Sequence, residues 1–123
     1  MTTLLVSGSR SIVDIRWVYS CIDEMKPFDK IIHGGARGVD SIANKYCVER
    51  EIPCEIFSPD YDTFGKTAPL LRNTVMLRKA TKVLILWDGV SSGTADVLRK
   101  TKALGKPFVL KKMRDQPLDV WKK

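Results

Sequence analysis

The strongest constraint on this chain is the run His33-Gly34-Gly35-Ala36-Arg37-Gly38-Val39-Asp40. A short apolar stretch, Lys30-Ile31-Ile32, leads into it, and a helical pattern from Ser41 to Arg50 leads out. A strand that passes through a glycine turn into a helix can cradle an anion. Glycines let bare backbone N–H groups approach it, and the helix start adds partial positive charge.

The rest of the chain repeats the strand–turn–helix order. Thr3 to Ser7 reads as a strand ending in the loop Gly8-Ser9-Arg10. Asp14 to Met25 reads as a helix, with Ile15, Val18, Tyr19 and Ile22 at helical spacing, Asp14 as its cap and Pro27 beyond its end. After the glycine turn and its helix, Pro53 to Phe57 is a third strand, and Ser58 to Lys66, with its proline, glycine and aspartates, reads as loop. Thr67 to Thr81 is helical, with Leu70, Leu71, Val75 and Leu77 as its apolar positions. Val83 to Trp87 is the most hydrophobic run and is expected to be the central strand. Asp88 to Thr94 is a second glycine- and serine-rich turn, followed by a helix from Ala95 to Leu104, a stop at Gly105 and a strand from Pro107 to Leu110.

Five strands separated by four helices predict an α/β fold: a Rossmann-like three-layer sandwich around a five-stranded, mostly parallel sheet. Residues 1–110 form one ligand-binding domain in this reading, and 111–123 a basic tail. That tail holds Lys111, Lys112, Arg114, Lys122 and Lys123 against Asp115 and Asp119, so it carries +3 of the net +7 and leaves +4 for the rest. Positive charge favours an anionic partner. Cys21, Cys47 and Cys54 form no CxxC pair, so they read as buried free thiols of a reducing cytoplasm, not as a zinc site or disulfide framework. The N-terminal residues run straight into a strand pattern, unlike a signal peptide, and no apolar run approaches the ~20 residues that span a bilayer.

In such sheets the ligand sits beyond the carboxyl ends of the strands. Three strand ends supply candidates: Gly8, Ser9 and Arg10; Gly34, Gly35, Ala36, Arg37, Gly38 and Asp40; and Asp88, Ser91, Ser92, Gly93 and Thr94. The hydroxyls and N–H groups of residues 91–94 suit a phosphate, or simple helix capping. Arg10 and Arg37 offer planar forks for an anion. Asp40 suits a ribose hydroxyl, or capping of its own helix. Arg72 and Asn73 are polar residues on the third helix pattern. Trp87 suits a base-pocket wall or the core, His33 a base or a packed side chain, and Asp60 and Asp62 lie in the proline-containing loop. Neither a Walker A lysine nor a GxGxxG fingerprint is present, which argues against ordinary ATP hydrolysis and hydride transfer. No cofactor and no metal are expected.

At these positions the chain resembles the SLOG superfamily of Rossmann-like nucleotide-ligand domains, and within it the YspA-type branch. The resemblance rests on Gly8-Ser9-Arg10, the whole run His33 to Asp40, Arg72-Asn73-Thr74-Val75-Met76, Trp87-Asp88-Gly89 and Ser92-Gly93-Thr94. It is more distantly similar to the DprA proteins, which bind single-stranded DNA, and to the LOG-type phosphoribohydrolases, which cleave nucleoside monophosphates. Arg72 and Met76 match one motif of the latter, and Gly93 and Thr94 part of another. The glutamate of that second motif is replaced here by Val97, and Asp96 lies one position early, about 100° away on a helix.

The resemblance implies a partner that is a nucleotide-derived small molecule, ADP-ribose-like or a nucleoside phosphate. Nucleotide N-glycosidase activity, with Arg72, Asp88 and Asp96 as catalytic candidates, and binding of single-stranded nucleic acid are the alternatives. By analogy with pairing in the superfamily it also implies a homo-oligomer. No membrane partner is expected.

Overall fold

The computed structural model describes residues 1–113. Five strands and five helices follow in order: β1 (Thr3–Gly8), α1 (Ile15–Asp23), β2 (Lys30–His33), α2 (Val39–Arg50), β3 (Cys54–Ile56), α3 (Tyr61–Phe64), α4 (Ala68–Lys79), β4 (Lys82–Trp87), α5 (Ser92–Leu104) and β5 (Phe108–Lys112). A 3₁₀ turn, Gly65–Thr67, joins α3 to α4. The sheet order is β3-β2-β1-β4-β5, and every pairing is parallel.

Alternation along the strands explains the three layers, since neighbouring side chains point to opposite faces. Leu4 and Val6 of β1 join Ile31, Leu84 and Leu86 beneath α1 and α2. Leu5 joins Ile32, Val83 and Ile85 against Met76 and Leu77 of α4 and Val97 of α5. Each such aliphatic side chain, removed from water, contributes about 1.5–3 kcal/mol.

The chain runs from β1 towards the β3 edge, then crosses back to β4 on the other side of β1. Loops therefore leave the adjacent carboxyl ends of β1 and β4 in opposite directions, which opens a crevice there.

Four expectations from the sequence change. The middle strand is β1, not β4; an apolar run reports burial on both faces, which the two strands share, and carries no order. Residues 58–66 are not all loop: Asp60 accepts from the Thr63 N–H at 3.1 Å and starts the single turn of α3. The buried residues of α4 are Ala68, Asn73, Met76 and Leu77, whereas Leu70, Leu71 and Val75 are exposed. Its inner face is set by a polar contact with α5, described below. Finally, α2 and α5 begin two and three residues earlier than their patterns suggest, and β5 runs on to Lys112. Residues 114–123, most of the expected basic tail, lie outside the described residues.

Candidate functional site

The crevice is built from three loops locked to one another. β1 ends at Gly8, where a Cβ would meet the Leu86 carbonyl oxygen and Val39 Cγ2, each at 2.5 Å. The absence of a side chain lets the start of α2 close onto the sheet. Ser9 is buried; its N–H donates to the Leu86 carbonyl at 3.0 Å, and its Oγ accepts from the Asp88 N–H at 2.9 Å. Asp88 binds the rim together. One carboxylate oxygen accepts from the N–H groups of Val90 and Ser91 at 2.9 and 2.8 Å. The other accepts from the hydroxyls of Ser11 and Ser91 at 2.7 and 2.8 Å. Burial pushes the Asp88 carboxyl up, but these four donors outweigh it and hold the group well below the usual carboxylate range.

The glycine loop differs from its expected form. The N–H groups of Gly34 and Ala36 both donate to Asp40 Oδ2, at 3.1 and 3.2 Å, and that of Gly35 donates to His33 Nδ1 at 3.0 Å. These three groups are not bare donors awaiting an anion; a carboxylate in the following turn is the nearer acceptor and takes them. Asp40 therefore neither caps α2, whose N-cap is Gly38, nor stands free. Its Oδ1 is buried without any hydrogen-bond partner. Burial raises the Asp40 pKa, against the lowering effect of the two N–H donors, His33 and Arg72.

Arg72 reaches from α4 across Gly34. Its Nη1 donates to the carbonyls of Gly34 and Phe57 at 2.6 and 3.2 Å, and its Nε to Asn73 Oδ1 at 3.0 Å. Gly34 packs against this guanidinium, where a Cβ would collide with Nη1 unless the arginine tip moved. Asn73 Nδ2 donates in turn to Asp96 Oδ2 at 3.2 Å, and Asp96 is paired with Arg99 at 2.7 Å and Lys100 at 3.0 Å. This is the polar contact that turns Asn73 inward. At the start of α5, Ser91 occupies the N-cap position without a side-chain cap, because its hydroxyl is given to Asp88. The N–H groups of Ser92, Gly93 and Thr94 are left over there, as at any helix start.

These parts enclose a cleft of about 910 Å³ lined by Gly8, Ser9, Arg10, Ala36, Asp40, Arg72, Asn73, Ser91, Ser92, Gly93, Thr94 and Asp96. Other sequence candidates lie elsewhere. Gly35 and Arg37 face a smaller cleft of about 320 Å³ with His33, Ser41 and Asn44. Gly38, at φ 74°, is pressed against the Ser9 and Arg10 backbone. Gly34 lies beneath Arg72, and Asp88 ties the rim together. Trp87 donates from Nε1 to the Ser91 carbonyl at 3.0 Å and does not line the large cleft. Asp60 caps α3, and neither it nor Asp62 lines the cleft.

Two basic lining residues escaped the sequence reading: Lys66, in the stretch read as loop, and Arg99, one turn beyond Asp96. With Arg10 and Arg72 they place four cations against Asp40 and Asp96. Among the described residues, no group of three His, Cys, Asp or Glu could hold a metal, and no helix is long and apolar enough to cross a membrane.

Residues 2–64 match the model of the YspA, cpYpsA-related SLOG family. The chain is 32% identical to the gene 61 protein of Mycobacterium phage D29, over 89% of this chain and 95% of that protein. Its fold is similar to the X-ray structure of DNA processing protein A (DprA) from Streptococcus pneumoniae, with a TM-score of 0.75 and 15% identity over 89% of this chain. The match covers 50% of the DprA chain, so this protein spans about half its length.

Proposed function

The chain belongs to the YspA, cpYpsA-related SLOG family, and from that membership we propose that it binds a nucleotide-derived ligand in the large cleft. The observation that carries the reading is the buried, unpartnered Oδ1 of Asp40, a carboxyl that feels the Arg72 charge and lines the same cleft. A buried carboxylate oxygen without a donor is costly, by about 1–3 kcal/mol or more for a charged group. A ligand hydroxyl relieves it.

Arg72 has Nη1 and Nε committed to protein acceptors, which fixes its plane. Its remaining terminal nitrogen, with the free N–H groups of residues 92–94 and the cations of Arg10, Lys66 and Arg99, suits a phosphate. A hydroxyl-bearing sugar joined to a phosphate satisfies both halves.

Binding is favoured over glycosidic cleavage by what the other two carboxylates do. Asp88 is saturated by four donors, and Asp96 is shared among Asn73, Arg99 and Lys100. Neither is free to activate water or stabilise a developing positive centre.

A thermal-shift panel tests the proposal. Nucleoside phosphates or ADP-ribose should raise the melting temperature increasingly with concentration above the dissociation constant. The matching nucleoside without phosphate should have little effect, and Arg72→Ala should abolish the shift. Absence of a shift with every phosphate-bearing nucleotide would refute it.

A further inference from the structure

The smaller cleft, of about 320 Å³, shares Ala36 with the large one, so the two adjoin at the glycine loop. Their charge differs. In the large cleft Asp40 and Asp96 offset the cations, whereas no Asp or Glu is among the described residues that line the small one. Its polar lining is His33 at the end of β2, Arg37 in the loop, and Ser41 and Asn44, one turn apart on α2. Ile56 of β3 supplies an apolar wall beside Gly35.

Hydrogen bonding decides which atoms meet an incoming group. The Gly35 N–H donates to His33 Nδ1 at 3.0 Å, so the neutral ring carries its proton on Nε2. Nε2 donates to Asn44 Oδ1 at 3.1 Å, and the Cys54 thiol donates to the same oxygen at 3.7 Å. With its oxygen taken twice, Asn44 keeps its Nδ2 amide, a donor, for the cleft. The Arg37 guanidinium and the Ser41 hydroxyl are exposed and make no hydrogen bond or ion pair among the described residues. A guanidinium, a hydroxyl and an amide N–H with no carboxylate among them suit an oxyanion.

We propose that the small cleft is a second phosphate subsite, with Arg37, Ser41 and Asn44 as its donors. The nucleotide reading of the large cleft enters only through what carries the phosphate. A nucleotide seated there reaches past Ala36 with a second phosphate, on the other side of its ribose from the first. A nucleoside bisphosphate therefore fills both clefts, and a nucleoside monophosphate fills only the large one.

Heteronuclear NMR of the isotope-labelled protein tests the cleft directly. Inorganic phosphate, added at constant ionic strength, should produce saturable shifts in the Asn44 side-chain amide and the Ser41 N–H. Arg37→Ala, at an exposed position, should weaken that binding about tenfold, the scale of a lost charge-assisted hydrogen bond. Calorimetry then compares adenosine 3′,5′-bisphosphate with adenosine 5′-monophosphate. The bisphosphate should bind about tenfold tighter, and Arg37→Ala should erase the difference. No saturable shift at Ser41 and Asn44, shifts that Arg37→Ala leaves unaltered, or equal affinity for two nucleotides that both bind would overturn the proposal. If neither nucleotide binds while the phosphate shifts persist, the large-cleft reading fails and the subsite stands.

Discussion

Asp40 does two jobs with its two oxygens. Oδ2 holds the N–H groups of Gly34 and Ala36, while Oδ1 has no donor. Asp40→Asn separates them. The amide oxygen can keep the loop bonds, and the amide nitrogen then stands where Oδ1 was, without a buried charge. We expect the unliganded variant to be at least as stable as the parent in urea titrations. Its affinity for a hydroxyl-bearing nucleotide should fall about tenfold or more, since the charge-assisted hydrogen bond from the hydroxyl to the carboxylate is lost. Calorimetry checks the second half, and unchanged affinity would remove Asp40 from the binding surface. This division was not legible in the sequence. An aspartate in the first turn of a helix reads equally as a cap, as a ligand group and as the anchor of the preceding loop, and only the fold of residues 34–36 decides among them.

At the scale of elements, the strand–helix alternation was readable because glycines and prolines punctuate it and apolar residues keep helical or strand spacing between them. Asp14, read as the cap of α1, accepts from the Trp17 N–H at 3.0 Å, and Gly105 ends α5 at φ 67°. The inner face of α4 was not readable, since its apolar spacing pointed to Leu70, Leu71 and Val75. The helix is instead oriented by Asn73 reaching Asp96, a contact between residues 23 positions apart. Lys66 and Arg99 were missed for a similar reason: their place on the rim depends on how α3, α4 and α5 pack. The α2 start is a further test at this scale. Gly38 adopts φ 74° and ψ −126°, and a Cβ there would strike the Ser9 carbonyl. Gly38→Ala should cost about 1–3 kcal/mol in backbone strain alone, read as a lower urea midpoint. A neutral result would mean that the loop has another conformation of similar energy.

For the molecule as a whole, the carboxylates that order the rim predict its response to acid. The Asp88 carboxyl is held below the value near 3.9 expected for an unfolded chain. Its contribution to stability is therefore present above that pH and is lost as pH falls through the folded value. Asp40 has the opposite sign: its pKa is raised, so its effect favours the fold as pH falls and is lost as pH rises through the folded value. Asp88→Asn should lower stability at neutral pH, and the difference from the parent should shrink steadily below about pH 4. Urea midpoints measured across that range test it; parallel curves would show that the four donors contribute nothing through charge.

The close approach of the Arg72 guanidinium to Gly34 has an evolutionary corollary. Positions 34 and 72 constrain each other, since a side chain at 34 requires the guanidinium to move from the place where it donates to the Gly34 carbonyl. Lineages that keep the arginine in this position are expected to keep the glycine, and an alanine at 34 is expected where 72 has been shortened or its guanidinium has moved aside. In a deep collection of sequences the two columns should change together, with the order of events running from 72 to 34.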